Sequence, residues 1–465
     1  MLFPLAPSSD SRTRSQRLGS RRMRGPLRRD PASGRERGVA LVLAITAIAI
    51  LAVVLADMHE GTTAAYMVAA TERDQLRAEY MARSGINLTR LLVAQEPAVR
   101  IAVAPLYQGI LLRPPPMIPV WTFADAILRP FCDYDRNDEE GSAGLNFGIA
   151  EGLGATGGTC EIISFAENGR ININLPLSFT GDRARLIVAA QTFDLVGGYL
   201  SPSPYDPLFE QADPDGNFTS RLDLVSALID WWDIDTDRTS FDPGAGTVAN
   251  AGSEDDTYQR LDDPYRARNA PLDSIEELRL IRGVGDDFWA TFIEPNPDDP
   301  RTRTVTIYGS GAVNPNEAPA QVLLTRACSV IGAQPLCVDA AQRLTFITLL
   351  DTIRAMVPIP FFTHPRQFTE FIEGAGGPQD LFALASALAG NAMFMPVTLT
   401  PEQRNEIDSV MVTAARILTI QATGRAGRAT VRIRTVMNFH DRWVPPPPNA
   451  GTMPGLGIFY YYRID

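Results

Sequence analysis

The chain contains no lysine: all 42 of its basic residues are arginine. We read that absence as genomic base composition, with little bearing on mechanism. Histidine is scarce too. His59, His364 and His440 are far apart in sequence, and none stands in a metal or triad motif. No Gly-x-Ser-x-Gly elbow and no credible Cys/His nucleophile occurs, so nothing positive points to an enzyme. Net basic charge is also lacking. At a formal charge of −12 the chain is a poor partner for nucleic acid. Only one apolar run reaches membrane length, so 45% hydrophobic content over 465 residues describes a tethered globular protein able to bury more than one core. Four cysteines, Cys132, Cys160, Cys328 and Cys337, suit an oxidising compartment. We expect Cys328 to pair with Cys337 and Cys132 with Cys160, the alternative being four buried thiols.

What is present begins with Arg35-Glu36-Arg37-Gly38 abutting the apolar run 39–56, in which only Thr46 is polar. Eighteen helical residues span about 27 Å, close to the hydrocarbon thickness of a bilayer, so one crossing is expected. Residues 1–38 hold ten arginines against Asp10, Asp30 and Glu36. By the positive-inside rule this leader stays cytoplasmic and the rest faces outward. Met23 would open a shorter basic leader equally well. A secretory signal places its small residues after the apolar core, whereas Gly38 precedes it, so the core is kept.

This junction resembles the class III leader of type IV pilins and type II secretion pseudopilins. The resemblance implies that a prepilin peptidase cuts after Gly38 and methylates Val39. Most of that superfamily carries Glu at the fifth mature position, and here Leu43 stands there. A carboxylate in the membrane is costly and is kept to pair with the N-terminus of a neighbouring subunit, which a subunit at the very tip does not have. The minor pseudopilin family called protein K lacks that Glu and commonly starts Gly-Val/Met-Ala-Leu, as this chain does.

Beyond the membrane the sequence permits one helix to residue 95, with Leu76, Tyr80, Leu88, Leu91 and Leu92 as its apolar stripe and Glu79 facing Arg83. Strand candidates follow at 160–165 and 170–175. The pattern then turns helical to about Leu418, and strands return at 429–436 and 457–464. Strands, a helical block and strands again indicate an insertion. The expected fold class is α+β: a long pilin-type helix and a small antiparallel sheet interrupted by a large all-α insert with SAM-like bundles. The expected division is a removed leader 1–38, a pseudopilin helix 39–95 with its transmembrane part at 39–56, sheet segments 96–181 and 417–465, and an insert 182–416.

Between Asp223 and Asp263 eleven acidic residues face only Arg238 and Arg260. Such a run repels itself unless cations bind, and oxygen-only ligands favour a hard ion such as calcium over zinc. Asp233-x-Asp235-x-Asp237 opens like an EF-hand, but Arg238 and Gly244 occupy the places of its Gly and Glu. The bland alternative is a solvated loop with some helix caps. Residues 228–235, 252–258 and 269–278 are similar in order and spacing to protein K's Asp-Trp-x-Asp-x-Asp, Gly-x-Glu-Asp-x-x-Tyr and Asn-x-Pro-Leu-x-Ser-x-Glu-Glu-Leu. That resemblance implies one or two calcium ions held by Asp230, Asp233, Asp235, Asp237, Glu254 and Asp255, with residues 241–251 inserted in the loop. The Leu278 to Gly285 segment looks like a helix-hairpin-helix turn, and because it runs into Asp286 and Asp287 it reads as a structural SAM-like turn.

Altogether the resemblance implies a non-enzymatic minor pseudopilin of type II secretion at the pseudopilus tip, initiating or capping assembly. It would be single-pass in the inner membrane with its bulk in the periplasm. Its partners would be minor pseudopilins I and J, the prepilin peptidase and the inner-membrane assembly platform, with no nucleic acid. A membrane-anchored periplasmic enzyme and a tip pilin of a related pilus or competence system are the alternatives.

Overall fold

A computed structural model describes residues 36–111, 114–132, 158–174, 181–210, 218–256, 258–260, 263–356, 360–374, 394–439 and 456–465. The leader up to residue 35 and the side chain of Cys132 lie outside the described residues. The described residues fall into two units that divide between Ala70 and Thr71.

Helix α1 runs Glu36–Ala94, 59 residues without a break. From Gly38 onward it is long and apolar enough to cross a membrane. Val39, Leu41, Val42, Leu43 and Ile45 are all exposed. Gln95 interrupts the helix, and α2, Glu96–Leu111, restarts with Pro97 in its first turn, where a missing N–H costs no hydrogen bond.

The stripe of α1 that packs overlaps the expected one only in part: Leu88 and Leu92 pack against the core from partly buried positions. Leu76, Tyr80 and Leu91 are exposed, whereas Ala78, Met81, Ala82, Ile86, Thr89 and Val93 are buried. Small residues win because the sheet comes up to the helix backbone itself. A Cβ built on Gly424 would lie 1.9 Å from the Ala78 carbonyl oxygen, and one on Gly85 would lie 3.3 Å from Ile162. Bulky leucines on that face would hold the layers apart. Gly424→Ala should therefore cost about 1–3 kcal/mol by overpacking, read in denaturant melts of the full-length chain in detergent; an unchanged midpoint would contradict this helix–sheet contact.

The sheet opposite α1 is antiparallel in the order β1-β6-β7-β8. β1 (Gly158–Ala166) pairs along its whole length with β6 (Ile417–Ala426), some 250 residues later. β7 (Ala429–Asn438) returns from β6 through Gly427, whose φ of 55° suits a tight turn, and β8 (Ile458–Ile464) forms the edge. α3 (Ala124–Cys132) covers β1, and Trp121, Ile162, Ile420 and Ile433 fill the core between helix and sheet.

Everything from 167 to 416 is thus inserted between two neighbouring strands. The insert holds α4 (Asp182–Leu195), α5 (Arg221–Asp230), α6 (Asp286–Phe288), α7 (Ala320–Ile331), α8 (Pro335–Val338), α9 (Ala340–Met356), α10 (Arg366–Ile372) and α11 (Pro401–Val410). Its core is rich in aromatics, among them Trp231, Phe292, Phe346, Phe362 and Phe371. It also contains β structure. β3 (Asp237–Asp242) and β4 (Thr247–Ser253) make a hairpin, and β2 (Ile171–Asn172) pairs in parallel with β5 (Val305–Thr306). The alternation of 170–175 is therefore used differently from a strand of the main sheet. Ile171 and Ile173 enter the insert core, while Asn172 donates to the Gly309 carbonyl and Asn174 exchanges hydrogen bonds with Leu272.

The turn at 283–285 joins a 3₁₀ helix, Ile275–Leu280, to the three-residue α6. Gly283 has φ 87°, and a Cβ there would meet Thr219 at 2.6 Å. Cys328 of α7 and Cys337 of α8 form a buried disulfide, and Cys160 is disulfide-bonded as well.

Candidate metal centre

The acidic block is sorted by its secondary structure. Ser220 caps α5 in a reciprocal box with Asp223, which also pairs with Arg238 at 2.5 Å, so this carboxylate is a helix cap. Asp230 closes α5, and Asp233 follows in the turn behind Trp231 and Trp232. The β3–β4 hairpin then sets Asp237 opposite Ser253, which returns the chain so that Glu254 stands beside Asp233. A hairpin can lengthen outward without moving its ends, so residues 241–251, expected from the resemblance to be an insertion, need not displace Asp233 or Glu254.

One ligand oxygen from each of Asp230, Asp233 and Glu254 lies within 4.8 Å of the others, and all three residues are buried. Their hydrogen bonds fall short of their lone pairs. Asp230 Oδ1 accepts the Thr239 N–H at 2.7 Å, and Glu254 Oε2 accepts Asn269 Nδ2 at 3.2 Å. Both carboxylate oxygens of Asp233 and Glu254 Oε1 are buried with no hydrogen-bond partner. Orphaned buried oxygens are costly, and like charges this close add to the cost. Burial pushes Asp230 up to about 6. It pushes Asp233 up to about 7, with Asp235 and Asp230 adding repulsion, and Glu254 up to about 8, with Asp233 foremost among its neighbours. Three converging carboxylates with open lone pairs are a donor set that fits a hard divalent cation.

The other acids named from the sequence point elsewhere. Asp235 is exposed, accepts the Asp237 N–H at 2.9 Å and stands 3.5 Å from Arg185. Asp237 accepts from Asn250 at 3.1 Å. Asp255 accepts the Ala267 N–H at 3.3 Å and faces Arg266 at 3.7 Å. None of these belongs to the converging group of three.

Two residues near the centre were not singled out for it from the sequence. Asn269 has φ 51°, a left-handed conformation that Asn tolerates better than most residues, and its amide joins Glu254 to the Asp235 carbonyl. Its place at the head of the Asn-x-Pro-Leu motif was the available signal. Arg185 arrives from α4 and carries no local signal at all.

Gly38 and Leu43, expected from the sequence to mark processing and a tip position, are both exposed on α1. Residues 217–293, the segment carrying Asp230, Asp233, Glu254 and Asn269, match the family described as type II secretion system (T2SS), protein K. No curated protein matches the chain. Among solved structures the chain is similar to one described as the crystal structure of the GspK-GspI-GspJ complex from the enterotoxigenic Escherichia coli type 2 secretion system. That similarity has 12% identity, covers 88% of this chain and 98% of the other, and has a TM-score of 0.43. The segment that builds the acidic centre is thus the part of the chain that matches the type II secretion system protein K family.

Proposed function

We propose that the chain is a minor pseudopilin at the tip of the type II secretion pseudopilus, where it initiates or caps assembly for export of folded proteins. The observation that carries this reading is the protein K segment on a chain whose membrane-length helix begins at Gly38 and has Leu43 where a stacked subunit needs a carboxylate. Leucine there leaves nothing to pair with the N-terminus of a subunit above. An insert of some 250 residues between β1 and β6 adds bulk that suits an end position better than a repeated one.

In this reading residues 1–38 are the leader, 39–56 span the inner membrane, and the sheet and the insert between β1 and β6 stand in the periplasm. Minor pseudopilins I and J and the assembly platform are its partners, and it performs no catalysis. Calcium is the ion for the acidic centre, with Asp230, Asp233 and Glu254 as first candidates to hold it and Asp235 nearest outside them. A bound dication would supply positive charge to oxygens the fold leaves unpartnered. Asn269 orients Glu254, and the hairpin keeps Glu254 within reach of Asp233.

Prepilin peptidase should cut between Gly38 and Val39. Gly38→Val should leave the leader attached, because a branched side chain replaces the small residue at the junction. Mass spectrometry of the chain from secreting cells checks this; an intact leader in the wild type, or a new N-terminus after Ala56, would overturn the assignment.

A further inference from the structure

The main sheet has two edges, and the chain closes only one of them. At β1 the Ile162 N–H donates to Asp125 Oδ1 at 3.0 Å, the Ser164 hydroxyl donates to the Trp121 carbonyl at 2.6 Å, and α3 lies alongside. At β8 no such cover exists among the described residues. Arg432 and Asp465 exchange both backbone hydrogen bonds, at 3.2 and 2.8 Å. By alternation Arg463 and Tyr461 therefore turn their backbone groups toward β7, and Tyr462 and Ile464 turn theirs outward. Proteins guard such an edge with charge, proline or a bulge. Residues 458–464 contain no proline and one charge, Arg463, and the bulge lies beside Tyr460, which leaves 461–464 regular. Ile458, Phe459, Tyr460, Tyr462 and Ile464 are all exposed.

We propose that a second copy of this chain adds its own β8 to this edge, antiparallel and centred on Tyr462, so that one sheet continues across two copies. The strand is complementary to itself in that register. Tyr462 and Ile464 carry the outward groups, so they must oppose residues of the same parity, and the centres that keep both neighbours within 461–464 are Tyr462 and Arg463. Centring on Arg463 sets two guanidiniums against each other, as does a parallel pair in register. Centring on Tyr462 sets Tyr462 on its twin and Arg463 opposite Tyr461, with no like charges opposed. Arg463 keeps its own counterion, Asp465 at 2.6 Å. Phe459, whose ring meets Tyr462 edge-on at 5.6 Å, adds apolar surface beside the centre. A twofold pair of this kind is closed and does not grow into filaments. It goes beyond the tip reading and does not depend on it.

Sedimentation equilibrium of the full-length chain in detergent, combined with cysteine crosslinking, tests this. Cys160, Cys328 and Cys337 are disulfide-bonded, so an introduced thiol is the reporter. The wild type should sediment as a dimer, and Tyr462→Lys, which sets two ammonium groups against each other, as a monomer. Oxidation should link Tyr462→Cys into dimers, because the twin Cα atoms of a hydrogen-bonded pair lie about 5.5 Å apart, within disulfide reach. Arg463→Cys, which faces Tyr461, should stay unlinked. A wild-type monomer, a dimer of Tyr462→Lys, no linkage at 462 or linkage at 463 each overturns the proposal. If Tyr462→Lys fails to fold, the wild-type mass and the two cysteine variants decide.

Discussion

Stripped of divalent ions, the chain should lose stability as pH rises from about 4 to about 8, and calcium should restore it. Asp230, Asp233 and Glu254 titrate at about 6, 7 and 8 when folded and near 3.8 to 4.5 when unfolded. The folded state therefore holds more protons than the unfolded state across that interval. Its advantage is complete below the unfolded values and is lost as pH climbs through the folded ones. A bound dication makes the carboxylate form the favoured one, so the gain from calcium grows with pH. For an ion that binds only the folded chain, the gain is about 2.7 kcal/mol at a hundredfold excess over Kd and about 4.1 kcal/mol at a thousandfold excess. Thermal melts of the full-length chain in detergent at pH 5 and pH 8, with chelator and with calcium, measure it. Calcium should raise the midpoint at pH 8 by more than at pH 5. Identical midpoints with and without calcium at pH 8 would reduce the cluster to a set of buried neutral acids.

Asp194→Ala should cost about 3–5 kcal/mol, because it strands Arg343 in the insert core. The two side chains, 1% and 7% exposed, form a double hydrogen bond at 2.7 and 3.1 Å that joins α4 to α9. Removing one partner leaves a buried charge that only the Cys337 carbonyl, at 3.1 Å from Nη1, still contacts. Asp194→Leu combined with Arg343→Met, which removes both charges, should lie closer to the wild type than either single change. Denaturant titrations of the four proteins form a double-mutant cycle. Additive losses would show that the pair does not act as a unit.

The parts of this molecule that were legible in the sequence are those fixed by neighbouring residues. The membrane-length helix follows from the apolar run 39–56. The mixed architecture follows from the alternation of 429–436 after a long helical stretch. The contact face of α1 was legible only in part: Leu88 and Leu92 pack against the core, but hydrophobicity ranks the exposed Leu76 and Tyr80 above the buried Ala78 and Ala82. Docking against Gly424 depends instead on how closely two backbones approach, a property of β6 some 340 residues away. Asn172 and Asn174 show the same limit: their alternation with isoleucine reads as a solvated strand face, yet they bind the backbone of the insert. Charge density and motif order pointed to the stretch in which Asp230, Asp233 and Glu254 converge. They could not say that Asp230, Asp233 and Glu254 are buried together while Asp235, Asp237 and Asp255 turn outward, since the β3–β4 hairpin makes that choice. Arg185 belongs to a different helix and enters only through the tertiary fold.

Tip placement is tested most directly by co-purification of the full-length, detergent-solubilised chain mixed with minor pseudopilins I and J and the major pseudopilin. With Leu43 in place of the carboxylate and a bulky insert on the head, the chain should retain I and J and leave the major subunit unbound. Retention of the major subunit in the absence of I and J, or assembly of the chain by itself into long filaments, would contradict the tip position.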